Sequence, residues 1–97
     1  GILEAMEINR VCEERNIPCM IGGMLESRLA LTACAHFATA SPNVQYFDMD
    51  TCLIGHLKDP VTGGIQYKNY QVILPGGIGL GADVEEDYLQ SLEKISI

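Results

Sequence analysis

The sequence is short of positive charge: 6 Lys and Arg stand against 13 Asp and Glu, for a net charge of −7. Neutralising phosphates takes a basic patch, so nucleic acid is excluded as a partner. An anionic membrane surface is excluded on the same ground. No apolar run approaches the ~20 residues that cross a bilayer. The chain opens Gly1-Ile2-Leu3-Glu4 with no initiator Met, no basic n-region and no signal-peptide core, and it reads as the middle of a longer gene product. Cys12, Cys19, Cys34 and Cys52 contain no C-x-x-C pair and match no zinc spacing. They are expected to be buried free thiols in a reducing, cytoplasmic setting. There is no G-x-S-x-G element and no ordered Cys/His pairing, which leaves triad chemistry unsupported. Gly77-Ile78-Gly79-Leu80-Gly81 lacks the Lys-Ser/Thr of a phosphate loop, which excludes a nucleotide role there.

What is present is a chain of 97 residues, 47 % hydrophobic, which is the ordinary level for one globular domain. Ile2 to Arg15 reads as an amphipathic helix. Ile2, Leu3, Met6 and Cys12 form its apolar stripe, and Glu7, Arg10 and Glu14 can support one another on the other face. Asn16 and Pro18 stop it. Ile17 to Ile21 is a continuous apolar run closed by Gly22 and Gly23, the pattern of a strand buried on both faces in a parallel sheet. Ser27 is a helix N-cap, and the nearly all-apolar segment from Arg28 to Thr39 is a largely buried helix. After the turn Ser41-Pro42-Asn43, Val44 to Phe47 is a second strand that runs into Asp48-Met49-Asp50. Helix, strand, helix, strand is the βα repeat of a parallel α/β fold.

The second half changes character: residues 51–82 hold seven of the ten glycines. Asp59 to Gly64 reads as a turn, Ile65–Tyr67 and Gln71–Leu74 as paired short strands, Pro75 to Gly81 as an irregular loop, and Asp83 to Leu92 as a short helix. Two βα units and such a tail cannot close a (β/α)8 barrel, which takes about 250 residues. The chain is therefore expected to be the C-terminal part of a larger enzyme, residues 1–54 in the barrel and residues 55–97 as a returning tail. A small domain completed by oligomerisation is the competing expectation.

In parallel α/β folds, functional groups gather at the C-terminal strand ends. Two places qualify here. In Asp48-Met49-Asp50, extended residues i and i+2 point to one side, so two carboxylates converge and call for a cation. A divalent metal or a substrate ammonium would serve. In Gly22 to Ser27, the glycines allow either close approach of a ligand or a tight turn. Glu26 is either a pocket acid or a partner of the helix N-terminus. His36 is expected to make a local hydrogen bond, His56 to lie in a loop that could line a pocket, and the four tyrosines to serve packing.

Met20 to Ala38, with its G-M-x-x-S-x-x-x-L pattern at Gly23, Met24, Ser27 and Leu31, resembles the dipeptide epimerases of the enolase superfamily, in the muconate-lactonising-enzyme-like subgroup. The D-x-D pair at Asp48 and Asp50 points to the dipeptide epimerases within it. The resemblance implies an α/β fold: about strands 7 and 8 with helices 6 and 7 of a TIM-type barrel, and a tail returning to an α+β capping domain. It implies a dipeptide substrate, a Mg²⁺ ion that stabilises an enolate, and two lysines that exchange the α-proton of the C-terminal residue. Asp48 and Asp50 would grip the dipeptide ammonium, and Gly23, Met24 and Leu25 would contact its backbone, with Glu26 beside them. The metal ligands and both lysines would precede residue 1. Lys58, Lys68 and Lys94 do not match the lysine positions. Partners would be the rest of the barrel, the capping domain and, as an open question, a second copy. The alternatives are a cycloisomerase or o-succinylbenzoate synthase of the same superfamily, and a non-enzymatic acidic interaction module.

Overall fold

In the computed structural model, which describes residues 1–95, helix α1 runs Ile2–Glu14 and ends where Asn16 takes a left-handed φ of 55°. Asparagine tolerates that conformation, and Pro18 then prevents the helix from resuming. Arg10 bonds Glu7 and Glu14 as its spacing predicts. These exposed pairs add little stability. Strand β1 (Cys19–Ile21), helix α2 (Arg28–Ala40) and strand β2 (Val44–Phe47) follow. The strands pair in parallel, Cys19 against Val44 and Ile21 against Phe47, with an irregularity after Cys19. Ser27 caps α2 by accepting from the Ala30 N–H at 3.3 Å.

One face of this sheet is covered by α2. Ile21, Val44 and Met49 pack with Leu31 and Ala35 of the helix and with Ile65 of the tail. The other face is bare: Met20 and Tyr46 are more than half exposed, as is Phe47, which pairs with Ile21 on the α2 side. Burial of β1 on both faces, expected from its unbroken apolar run, is thus not met among the described residues. Nor is the apolar stripe of α1 covered. Leu3 is 80 % exposed, and the sides that turn inward carry Ala5, Asn9, Val11 and Cys12. The four cysteines are free as expected, but half-buried rather than buried.

Beyond β2 the chain forms a one-turn helix α3 (Thr51–Ile54), strands β3 (Val61–Gly63), β4 (Gln66–Lys68), β5 (Gln71–Ile73) and β6 (Ala82–Val84), and helix α4 (Glu86–Ser91). The expected pairing of β4 with β5 is present, turned by Asn69 and Tyr70, both at positive φ. Two readings are corrected. Residues 61–63, taken as turn, are a strand that pairs with residues 82–84, the supposed start of the last helix. The partner strand is some twenty residues away, so no local pattern marks it. The turn after β3 falls on Gly63 and Gly64 at φ of 66° and 75°. A Cβ on Gly63 would meet the Gly81 carbonyl at 2.3 Å, so glycine is required there.

The tail is fastened to the first turns of α2. The Arg28 guanidinium pairs with Asp59 at 2.5 Å and donates to the backbone carbonyls of Val61, Gly63 and Ile65. Thr32, fully buried, donates to the Arg28 carbonyl at 2.7 Å and accepts from the Ile65 N–H at 3.0 Å. His36 bonds the Leu80 carbonyl at 3.1 Å, a contact across the fold and not the local one expected. Replacing Thr32 with Val keeps the shape but leaves the buried Ile65 N–H without a partner. The expected cost is about 1–3 kcal/mol, read as a lower Tm of the protein that carries this chain.

Candidate functional site

The two segments singled out from the sequence meet at the C-terminal ends of β1 and β2. The Asp48 N–H donates to the Ile21 carbonyl at 2.9 Å, which extends the parallel ladder one step past β2. From there Met49 turns inward and is 8 % exposed, while Asp48 is half-buried and Asp50 exposed. Asp50 is already helical, at φ −104° and ψ −4° as the N-cap of α3, so the shared cavity beyond the strand end, and not strand alternation, brings the two acids together. Both line a cavity of about 800 Å³ together with Phe47, Leu53, Tyr67 and Lys68. Neither carboxylate has a hydrogen-bond or ion-pair partner among the described residues.

The glycine loop packs directly on this pair. Gly22 and Gly23 do not take positive φ; Leu25 does, at 68°. What Gly23 supplies is closeness. A Cβ there would stand 2.9 Å from the Asp48 carbonyl oxygen and 2.9 Å from Thr51 Cγ2. Leu25 lies over Gly55, where a Cβ would collide with its side chain. Met24 is 80 % exposed, and none of Gly23, Met24 and Leu25 is among the residues that line the cavity.

Of the two roles open to Glu26, the structure shows neither contact with the N-terminus of α2 nor a place in the cavity lining. Its carboxylate accepts from the Met24 N–H and from Thr51 Oγ1 at 3.2 Å, while its carbonyl oxygen meets His56 Nε2 at 3.1 Å. The Met24 N–H is the main reason that the Glu26 carboxyl is held below the usual range. Glu26 thus pins the loop after β1 to the segment after β2. His56, expected in a loop near a pocket, serves the same junction.

Tyr67 was passed over as a packing residue. Its hydroxyl donates to the Met49 carbonyl and lies 3.1 Å from Cys52 Sγ. Nothing in the sequence marks it, because its partners come from the far side of the tail. Of the other tyrosines, Tyr46 and Tyr70 are exposed and Tyr88 sits under Lys58, whose Nζ is 5.3 Å from the ring centre. Among the described residues, no three His, Cys, Asp or Glu side chains come together to hold a metal ion.

Parallel βα units with an unpaired acid pair at the second strand end define an α/β-barrel type of binding wall. Residues 1–88 match the family described as enolase C-terminal domain-like. The chain belongs to that family, whose members are TIM-barrel enzymes of the enolase superfamily, and it has the α/β fold of the C-terminal part of such a barrel. It is 47 % identical, over its whole length and 26 % of the relative, to the D-Ala-D/L-Ala epimerase of Cytophaga hutchinsonii. It is 43 % identical to the L-Ala-D/L-Glu epimerase of Bacillus subtilis, over 84 % of this chain and 22 % of that one. Among solved structures, the dipeptide epimerase of Cytophaga hutchinsonii complexed with Mg and the dipeptide D-Ala-L-Val superposes with a TM-score of 0.88 at 46 % identity. That match covers 98 % of this chain and 26 % of the other. The chain spans about a quarter of the length of the curated relatives it matches.

Two outcomes follow from the junction. Gly23→Ala forces a methyl group against the Asp48 carbonyl and should destabilise by about 1–3 kcal/mol, with the two loops displaced in a crystal structure of the variant. Because the folded Glu26 pKa lies below its unfolded value of about 4.3, the loop pinning is fully present above that pH. It is lost as pH falls through the lower folded value. An NMR titration of the Glu26 carboxyl should show the depressed midpoint, and Glu26→Gln should abolish this pH dependence of the loop.

Proposed function

We propose that the protein carrying this chain is a Mg²⁺-dependent dipeptide epimerase, which inverts the α-carbon of the C-terminal residue of a dipeptide by 1,1-proton transfer through an enolate. Within it, residues 1–54 form the barrel part and residues 55–97 the tail toward the capping domain. The observation that carries the reading is the acid pair at the end of β2, set in a chain 47 % identical to a named epimerase of this kind.

The physical logic is charge matching at a distance from the chemistry. Two carboxylates that line one cavity repel unless a cation sits between them. A dipeptide brings that cation as its N-terminal ammonium. Held by Asp48 and Asp50, the ammonium fixes one end of the substrate, and this binding orients the α-carbon toward the groups that move its proton. Gly23, Met24 and Leu25 would lie along the peptide backbone. Glu26 acts by holding that loop against the Asp48–Thr51 segment. The resemblance puts the Mg²⁺ ligands upstream of residue 1, so the metal is assigned to residues outside this chain. The proton-transferring lysines are assigned outside it as well. Four free thiols accord with a reducing, cytoplasmic setting.

The experiment sets dipeptides against acidic non-peptide substrates, using the full-length protein with Mg²⁺. Epimerisation of the dipeptides is the expected result. Asp50→Asn and Asp48→Asn should each lower kcat/KM for a dipeptide by about ten- to a hundredfold and leave Mg²⁺ affinity unchanged in a metal titration. Lost Mg²⁺ binding would make the pair a metal site, and turnover of the non-peptide substrates alone would sink the reading.

A further inference from the structure

Three backbone ties fix the segment that carries the acid pair. The Asp48 N–H is bound by the Ile21 carbonyl at 2.9 Å, and the Asp50 carbonyl accepts from the Leu53 N–H at 2.8 Å. The peptide between them would otherwise be free to rotate. Its carbonyl, on Met49, is held by the Tyr67 hydroxyl, a residue 18 positions further along on β4. Rotating that peptide would swing Asp48 and Asp50 relative to one another, since it lies between their Cα atoms. Met49 itself is buried in the core, so side chain and carbonyl are anchored together.

The direction of the bonds is set by proton counting. A carbonyl oxygen can only accept, so the single Tyr67 proton goes to Met49. The remaining contact, Cys52 Sγ at 3.1 Å, is then a thiol donating to the phenol oxygen. The chain Cys52 S–H, Tyr67 O–H, Met49 C=O runs one way from α3 through the hairpin to the acid pair, and each bond polarises the next. Burial, and then the Cys52 contact, push the Tyr67 phenol above its ordinary value, so the donor keeps its proton.

We propose that Tyr67 is a positioning residue for the Asp48–Asp50 pair, setting the spacing at which the two carboxylates receive a substrate ammonium. The inference rests on the reading of the pair as an ammonium grip. It places a determinant of substrate affinity on the glycine-rich tail, outside the barrel strands.

The test uses the full-length protein and the variant Tyr67→Phe, which removes one oxygen and keeps the ring. Two substrates are compared with Mg²⁺ present: a dipeptide, and the same molecule with its ammonium group replaced by hydrogen. The expected result is a KM for the dipeptide raised about three- to tenfold, with kcat little changed and no change for the des-amino compound. Equal losses on both substrates would mean general loosening, and no loss on the dipeptide would mean no positioning; either overturns the inference. Amide hydrogen exchange supplies a readout that needs no turnover. Exchange in Tyr67→Phe should quicken at residues 48–52 and stay at the wild-type rate in α1 and β1. Wild-type exchange at residues 48–52 overturns the inference even if the protein proves inactive on dipeptides. A wild type inactive on dipeptides overturns the functional reading alone.

Discussion

The grip of α2 on the tail is the constraint from which the rest of the arrangement follows. Strands of three residues leave many backbone groups without ladder partners, and buried ones must be satisfied. Arg28 and Thr32 meet much of that need from one helical face. A guanidinium fork suits the task because its donors diverge in a plane and reach several carbonyls at once. With Val61, Gly63 and Ile65 held there, Ile65 fills the core beneath β2, and the β4–β5 hairpin is delivered to the end of that strand. Tyr67 reaches Met49 only because of this placement. A structural clamp at one end of α2 thus sets the backbone of the acid pair roughly a strand's length away.

The site is built by two loops that stabilise each other. Glycine at position 23 allows the first to lie against the second, and Glu26 converts that contact into hydrogen bonds through Met24 and Thr51. Among the described residues, neither acid of the second loop forms an ion pair, although Lys68 lines the same cavity. Under the proposed reading, an ammonium group would meet this pair without an internal salt bridge having to be broken first. The first loop leaves Met24 and Leu25 exposed.

Much of this was legible along the chain. The N-cap Ser27, the stop at Asn16, the two parallel strands and the β4–β5 hairpin all follow from local signals: a side chain that can accept, a residue that tolerates positive φ, a run of apolar residues, a turn. The D-x-D spacing was legible too, but the strand stops at Phe47 and Asp50 already caps α3, so it is the cavity past the strand end that both acids line. The pairing of β3 with β6 was not legible, because its two halves are three residues each and lie on either side of the hairpin. The hydrogen-bond partners of Glu26 were hidden for a related reason. Standing just before a helix, it suggested the helix dipole, but two donors from the adjoining loops offered firmer partners. Of the apolar stripe of α1, Ile2, Leu3 and Met6 stay exposed among the described residues and Cys12 alone turns inward.

The sequence by itself determined the class of fold and the position of the charged pair, because propensity, capping and periodicity act over a few residues. Tertiary structure alone decided what surrounds the pair: that Gly23 serves closeness and not a left-handed turn, that Glu26 pins a loop, and that Tyr67 holds Met49. The last two depend on groups 25 and 18 positions apart meeting at hydrogen-bond distance, and the first on close packing against Asp48 and Thr51. Such meetings are fixed by how the tail packs on α2, and no local pattern of residue types encodes them.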